Sequence, residues 1–270
     1  MIDYRLAQTE DINSLKELWI ETFDEKGTAV DNFFAVIFSM CNSFVATCDN
    51  KIVSMVHLIN SQVNGVKALY LYAAATNKDF RSQGIMSSLI KFALNETDAE
   101  ICVTLPASES LYSYYSKLGF EPLKAKSAVL SRKEVVTLAK PYELQEIFVN
   151  GFCGIRNRVL KDNFLFWNNK FIDYALSYNE LYGAKIIKNN FGYAILFEDD
   201  NVCNVLEFIC DNRNAPFLLT DILSVTHSEK FNFHLSPNQL FVNGIEKNYG
   251  MAMYMSEYKP DNIYLGLTLE

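Results

Sequence analysis

Three strand-like runs follow one another in the first third of this chain with only tight turns between them: SFVATCD, KIVSMVHLI and VKALYLYAAAT. Asp49 and Asn50 join the first two, and Asn64 and Gly65 sit at the turn into the third. Residues of this kind accept the positive φ of a two-residue hairpin. Successive hairpins make neighbouring antiparallel strands, so this stretch must lie in one sheet. The next segment breaks the pattern. TNKDFRSQGIMSSLI leads into apolar pairs spaced by four, Ile85/Met86, Leu89/Ile90 and Ala93/Leu94, which is a helix, and EICVTLP then reads as another strand.

Around this centre the first half is regular. IDYRLA reads as a first strand. Thr9 stands where a cap would precede a helix with Ile12, Leu15, Leu18, Trp19 and Phe23 on one face. A second helix crosses Phe33, Phe34, Ile37 and Phe38. SESLYSYYSKL is a further helix stopped by Gly119, and FEPLKAKSAVLSR continues as strand. The order β-α-α-β-β-β-α-β-α-β mixes hairpins with crossovers, so the fold class is α/β, an α+β mixed sheet with helices on both faces.

With 270 residues, half of them hydrophobic, the chain suits two domains, each with its own core. The join falls near TLAKPYELQ, where Pro141 suits the first turn of a new helix. The expected domains are 1–138 and 139–270. The second half repeats the grammar of the first: a helical region ending in FLFWNNKFIDYAL, the strand-like runs YGAKIIK, GYAILFE and VCNVLEFIC, a helix over Leu218 to Val225, a strand KFNFHLS, and late strands GMAMYMS and NIYLGLTLE. The likeness lies in element order rather than residue identity, and it reads as a tandem duplication. Phe164, Phe166, Trp167, Phe171 and Tyr174 form either a binding wall or, as their spacing more commonly means, core.

The strand-to-helix turn is where chemistry can enter. A helix N-terminus carries unsatisfied N–H groups and partial positive charge, and a glycine there lets a ligand approach the backbone. In RSQGIM the amides of Ser82, Gln83, Gly84, Ile85 and Met86 could converge on a pyrophosphate, with Arg81 adding charge or a hydrogen bond; taken alone, R-x-x-G reads equally as an ordinary turn and helix start. Upstream, Ala73, Ala74, Ala75 and Thr76 end their strand with small side chains, so a ligand can lie alongside and bond to the main chain.

DFRSQGIMSSLI followed by LYSYYSKLGF resembles the paired motifs of the GNAT superfamily of acyl-CoA-dependent N-acyltransferases. In that family the first motif, Q/R-x-x-G-x-G/A, grips the coenzyme A pyrophosphate, and the second is a helix ending in Tyr-x-x-Leu-Gly-Phe. The element order of residues 1 to about 135 matches as well. The resemblance implies a GNAT domain followed by a second, degenerate GNAT-like domain that shapes the acceptor site. It implies acetyl-CoA as co-substrate and a small-molecule primary amine as acceptor. Two departures stand out: Met86 replaces the usual Gly or Ala, and Ser108 stands where many members have an Asn that contacts the pantetheine arm.

The resemblance further implies that two strands splay apart and that the pantetheine arm fills the gap, with Ala74 and Thr76 offering main-chain groups and a strand N–H facing the thioester oxygen. Tyr115 matches the family's general acid for the leaving thiolate. The base is harder to place. The third strand of the hairpin series carries no acid, His57 either faces the acceptor cleft or packs as a core histidine, and Asp24 and Glu25 lie on the acceptor side in the family. In tandem members of the enhanced-intracellular-survival type the C-terminal carboxylate is the base. LPASESLY echoes a segment of that group, which makes Glu270 a candidate, against the plainer reading of a strand ending on the surface.

Composition excludes other classes. A net charge of −8 repels nucleic acid and anionic membranes and mildly favours cationic small molecules. The six cysteines show no CxxC spacing and read as free thiols in a reducing, cytoplasmic setting. The three histidines lack metal-ligand spacing, so no metal is expected. MIDYRLAQTEDINSL lacks the apolar stretch of a signal peptide, and no apolar run approaches the ~18 residues of a membrane span. Within the acyl-CoA resemblance, two alternatives remain: an inactive acyl-CoA-binding sensor and a peptide or protein N-acetyltransferase.

Overall fold

The computed structural model describes residues 1–142 and 151–269. It divides into two compact units, Met1–Glu121 with Met251–Lys259, and Pro122–Gly250 with the residues from Pro260 onward.

The first unit runs β1 (Ile2–Leu6), α1 (Ile12–Phe23), α2 (Gly27–Val36), β2 (Cys41–Cys48), β3 (Lys51–Val63), β4 (Val66–Thr76), α3 (Ile85–Asn95), β5 (Ile101–Thr104) and α4 (Glu109–Lys117). The strands lie side by side in chain order. All neighbours are antiparallel except β4 and β5, which the α3 crossover makes parallel. Asp49, Asn50, Asn64 and Gly65 all take positive φ at the hairpin tips, as expected. Thr9 does not cap α1. It opens a short 3-10 turn whose cap is Gln8, because Asp11 accepts the Gln8 N–H at 2.8 Å and is clamped by Arg5.

Alternation along β3 separates two cores. Val56 and Leu58 join Phe44, Leu69, Leu71, Leu89 and Ile90 under α3. His57, one residue out of phase, meets Trp19, Phe33 and Phe34 from α1 and α2 on the other face. Each large side chain so buried contributes about 1.5–3 kcal/mol.

The second unit contains β6 (Glu121–Ser131), α5 (Arg132–Leu138), α6 (Phe152–Leu160), α7 (Asn169–Leu181), β7 (Lys185–Lys188), β8 (Gly192–Asp199), β9 (Val202–Cys210), α8 (Ala215–Val225) and β10 (Lys230–Leu235), with β11 (Ile245–Tyr254) after them. Two helices, a three-strand meander, a crossover helix and a parallel strand repeat the order from α1 to β5. Phe164, Trp167, Phe171 and Tyr174 are buried, and the rings of Trp167 and Phe171 stack, so these aromatics are core.

The compact units do not break at 138. β6 belongs almost wholly to the second, and Met251–Tyr254 of β11 pairs antiparallel with β5 in the first. The strand expected at NIYLGLTLE forms only an isolated bridge, Phe164 to Tyr264. Around that bridge Tyr264 bonds main chain to main chain with Asn163 and Leu165, while side chains hold Leu267: its N–H donates to Glu207 Oε1 at 2.9 Å, and Trp167 Nε1 donates to its carbonyl at 2.8 Å. Glu207 is itself fully buried and ion-paired with Arg156. All six cysteines are free. Among the described residues no helix is long and apolar enough to cross a membrane, and no group of acidic, histidine and cysteine side chains is arranged to hold a metal.

Candidate active site

β4 and β5 pair from Ala68↔Ile101 to Tyr70↔Val103, and there the register ends. β4 runs on to Thr76, so its far half parts from β5. The parting coincides with a bulge. Met55 pairs with Ala75 but His57 pairs with Tyr72, and Ala73 takes a left-handed φ of 48°. A bulge of this kind bends a strand away from its neighbour. Beyond it, Asn77 N–H donates to the Val53 carbonyl. Because bonding alternates along an antiparallel pair, Ala75 turns its main chain to β3, while Ala74 and Thr76 turn theirs to the open edge. Ala75, expected to touch the arm along with its neighbours, therefore has its main chain engaged and its methyl buried.

At the end of β4 the chain makes a short turn and enters α3. Gly84 caps that helix with φ +75°, a conformation that costs an L-residue energy, and a β-carbon there would meet nothing within 4 Å. The first helical bond is Ser88 N–H to the Gly84 carbonyl, so the amides of Ile85, Met86 and Ser87 have no partner within the helix, and no side chain caps them. Arg81, Ser82, Gln83 and Gly84 are exposed around them. Arg81 Nε donates to the Thr76 carbonyl at 2.9 Å, and Gln83 Nε2 donates to the Asp79 carbonyl at 3.2 Å. The Met86 side chain is partly buried and packs against the core under α3.

Tyr115 is buried on α4 against Phe120. Its place is fixed by the helix end: Phe120 N–H bonds to the Tyr115 carbonyl and Gly119 N–H to that of Ser116, with Gly119 at φ +101°. Burial holds its pKa well above the ordinary tyrosine range and the neighbouring Tyr114 pushes it further. Ser108 serves as the N-cap of α4, accepting from Leu111 N–H and bonding Ser110 Oγ at 2.9 Å.

Residues 3–123 match the acetyltransferase (GNAT) domain family. The N-terminal part of this chain is a GNAT domain. Solved structures extend the likeness of fold through both units. A conserved protein of unknown function from Enterococcus faecalis V583, described as a probable N-acyltransferase, aligns over 94% of this chain and 72% of its own at 15% identity and a TM-score of 0.70. A GCN5-related N-acetyltransferase from Anabaena variabilis ATCC 29413 aligns over 95% and 73%, at 15% identity and a TM-score of 0.70. Eis1 from Mycobacterium abscessus aligns over 94% and 74%, at 10% identity and a TM-score of 0.66. No curated protein matches the chain in sequence.

The GNAT domain is an acyltransferase fold, and the second unit is GNAT-like but altered at the matching turn. There α8 starts with Ala215 N–H bonded to the Asp211 carbonyl, Phe217 N–H to that of Asn214, and Pro216 without an N–H at all. The other candidates of the GNAT domain sort by exposure. His57 is fully buried, 2.6 Å from Ser43 Oγ through Nδ1, with Nε2 unpartnered among the rings of Trp19, Phe33, Phe34 and Phe38. Burial lowers its pKa to about 3, so it is a neutral core residue. Glu25 accepts the Trp19 indole N–H at 2.6 Å, and Asp24 ends α1 in a left-handed conformation. Glu270 lies outside the described residues.

Proposed function

We propose that this chain transfers the acetyl group of acetyl-CoA to a primary amine of a small molecule by direct attack in a ternary complex. What supports this is the alignment of the free amides of Ile85, Met86 and Ser87 with the open edge of β4: a grip for a diphosphate beside a slot for a thin arm. Arg81, tied to Thr76 through Nε, presents the rest of its guanidinium to the same anion. Ser82, Gln83 and Gly84 let the backbone curl around it, and Ser108 at the start of α4 can still donate to the arm.

In this reading Ala74 and Thr76 align the arm, and a β4 N–H meets the oxyanion formed when the amine attacks. Tyr115 then serves the departing sulfur. The acidic surface draws a cationic amine toward the site. A coenzyme-binding sensor without turnover would follow from a lost base and a turn blocked by Met86; what weighs against the block is that the Met86 side chain is partly buried and packs against the core under α3.

Calorimetry with CoA and acetyl-CoA, followed by thiol release in the presence of polyamines, aminoglycosides, amino acids and peptides, tests the proposal. Binding with turnover on a small amine is expected. Binding without turnover on any acceptor would replace the enzyme with a sensor, turnover on peptides alone would change the acceptor class, and no binding of either coenzyme form would overturn the proposal.

A further inference from the structure

Past its bulge, β4 resumes pairing with β3 as Met55↔Ala75 and then Ser54↔Thr76. Asn77 N–H donates to the Val53 carbonyl, so Ser54 and Thr76 form the pair between two main-chain-bonded ones, the kind whose side chains stand closest. Ser54 is fully buried. Its hydroxyl donates to the Ala75 carbonyl at 2.9 Å and lies 2.8 Å from Thr76 Oγ1. A hydroxyl has one proton. With that of Ser54 given to Ala75, the second bond is donated by Thr76. Thr76 is held from another side as well, because its carbonyl accepts Arg81 Nε at 2.9 Å. One residue of the open edge is thus pinned through its side chain from within the sheet and through its main chain from the turn.

The second unit shows that the fold does not require the hydroxyl pair. There β8 and β9 resume past their bulge as Ile195↔Glu207 and then Ala194↔Phe208, so Ala194 and Phe208 stand where Ser54 and Thr76 do. The Phe208 carbonyl still accepts from a side chain, Gln239 Nε2. Covering that carbonyl is therefore common to both units. The hydroxyl pair belongs to the unit whose next helix starts at Gly84, and the unit with Pro216 at that turn packs a methyl instead. Burying a hydroxyl costs free energy that its bonds must offset, whereas a buried methyl carries no such cost.

We infer that Ser54 is a positioning residue for the coenzyme: by holding Thr76 it fixes where the main chain of the open edge meets the pantetheine arm. This rests on the reading of β4 as one wall of the arm's slot. Being fully buried, Ser54 acts through Thr76 and not by touching the ligand. Its influence also differs in reach from that of Arg81. Arg81 belongs to the turn that grips the diphosphate, whereas Ser54 supports the strand alone, so its loss should be felt by the arm and not by the nucleotide.

The experiment compares Ser54→Ala, Thr76→Val and the Ser54→Ala/Thr76→Val double variant with the unaltered full chain. Calorimetry measures CoA directly. Phosphoadenosine diphosphate, the nucleotide half of CoA, is measured by its displacement of CoA; it keeps the diphosphate and lacks the arm. Thermal melts report the fold. Ser54→Ala is expected to weaken CoA roughly five-fold or more, the size of one lost hydrogen bond, and the nucleotide by less than about two-fold. Thr76→Val, which leaves the main chain in place, does the same. The double variant is no weaker than the weaker single one, because both remove the same bond. If Ser54→Ala does not fold, Thr76→Val, at a half-buried position on the strand end, carries the same outcomes. Equal weakening of CoA and nucleotide, a lower melting temperature with unchanged CoA affinity, or single effects that add in the double variant overturns the role of Ser54. Failure of the unaltered chain to bind CoA, or of the nucleotide to displace it, overturns the reading beneath it.

Discussion

Arg81 Nε donates to the Thr76 carbonyl at 2.9 Å, so the guanidinium beside the turn into α3 is anchored to the last residue of β4. The anchor explains why a lysine would not be equivalent: an ammonium on a flexible stem cannot hold Thr76 and present a planar fork at once. Arg81→Met is expected to weaken CoA binding by roughly ten-fold or more, the loss of a charge-assisted bond, and to flatten its salt dependence. Arg81→Lys should keep the salt dependence but not the full affinity. Calorimetry at two ionic strengths reads both.

Gly84 separates backbone strain from crowding. Since a β-carbon there would touch no protein atom, Gly84→Ala should cost the fold only the ~1–2 kcal/mol of a left-handed alanine. Its methyl would stand over the free amides of α3. CoA affinity should therefore fall well beyond what the modest drop in melting temperature accounts for; an equal loss in both would count against a phosphate at this turn.

Gly266 behaves oppositely. It has φ +61°, and a methyl there would overlap the Glu207 carboxylate and press on Tyr264 and Arg156. Gly266→Ala is expected to destabilise the second unit by about 3 kcal/mol or more, since it both strains the backbone and disturbs a buried ion pair. Urea unfolding, followed by the fluorescence of Trp167, would register it.

His57 makes stability depend on pH. Its folded pKa is about 3 against an ordinary 6.5, so the unfolded chain binds the proton first. Stability from this group is full above pH 6.5 and is lost as pH falls toward 3, by about 5 kcal/mol at most. His234, lowered to about 4 mainly by burial, acts in the same direction. His57→Phe should flatten the fall in urea midpoint between pH 6.5 and 4. An unchanged slope would mean that other groups govern it.

The sequence carried the features that rest on local chemistry. Asp49, Asn50, Asn64 and Gly65 announce hairpins because few residues accept positive φ, and Gly84 marks the turn into α3 for the same reason. Features set by distant partners were not legible. VLEFIC reads as an ordinary strand, yet Glu207 is buried against Arg156 far up the chain. GMAMYMS reads as a strand whose partner is unspecified, because pairing is decided by register and topology. His57 had two readings until the rings of Trp19, Phe33 and Phe34 closed around it.

The partner of β5 gives a direct prediction. A fragment ending at 138 would lack Met251–Tyr254 and leave the fully buried Ile101, Cys102 and Val103 on an uncovered edge. Such an edge promotes aggregation. The fragment is expected to be insoluble or poorly folded, and co-expression of the remainder should rescue it; a soluble fragment that binds CoA with full affinity would show that the late strand is dispensable.

That same pairing bears on how the molecule is made in a cell. A nascent chain emerges N-terminus first, and domains ordinarily fold as they leave the ribosome. Here β5 waits for Met251–Tyr254, so translation must pass residue 254 before the first unit can finish assembling. During that interval β5 is a sticky template, which makes this protein a natural client for chaperones that shield unfinished sheets.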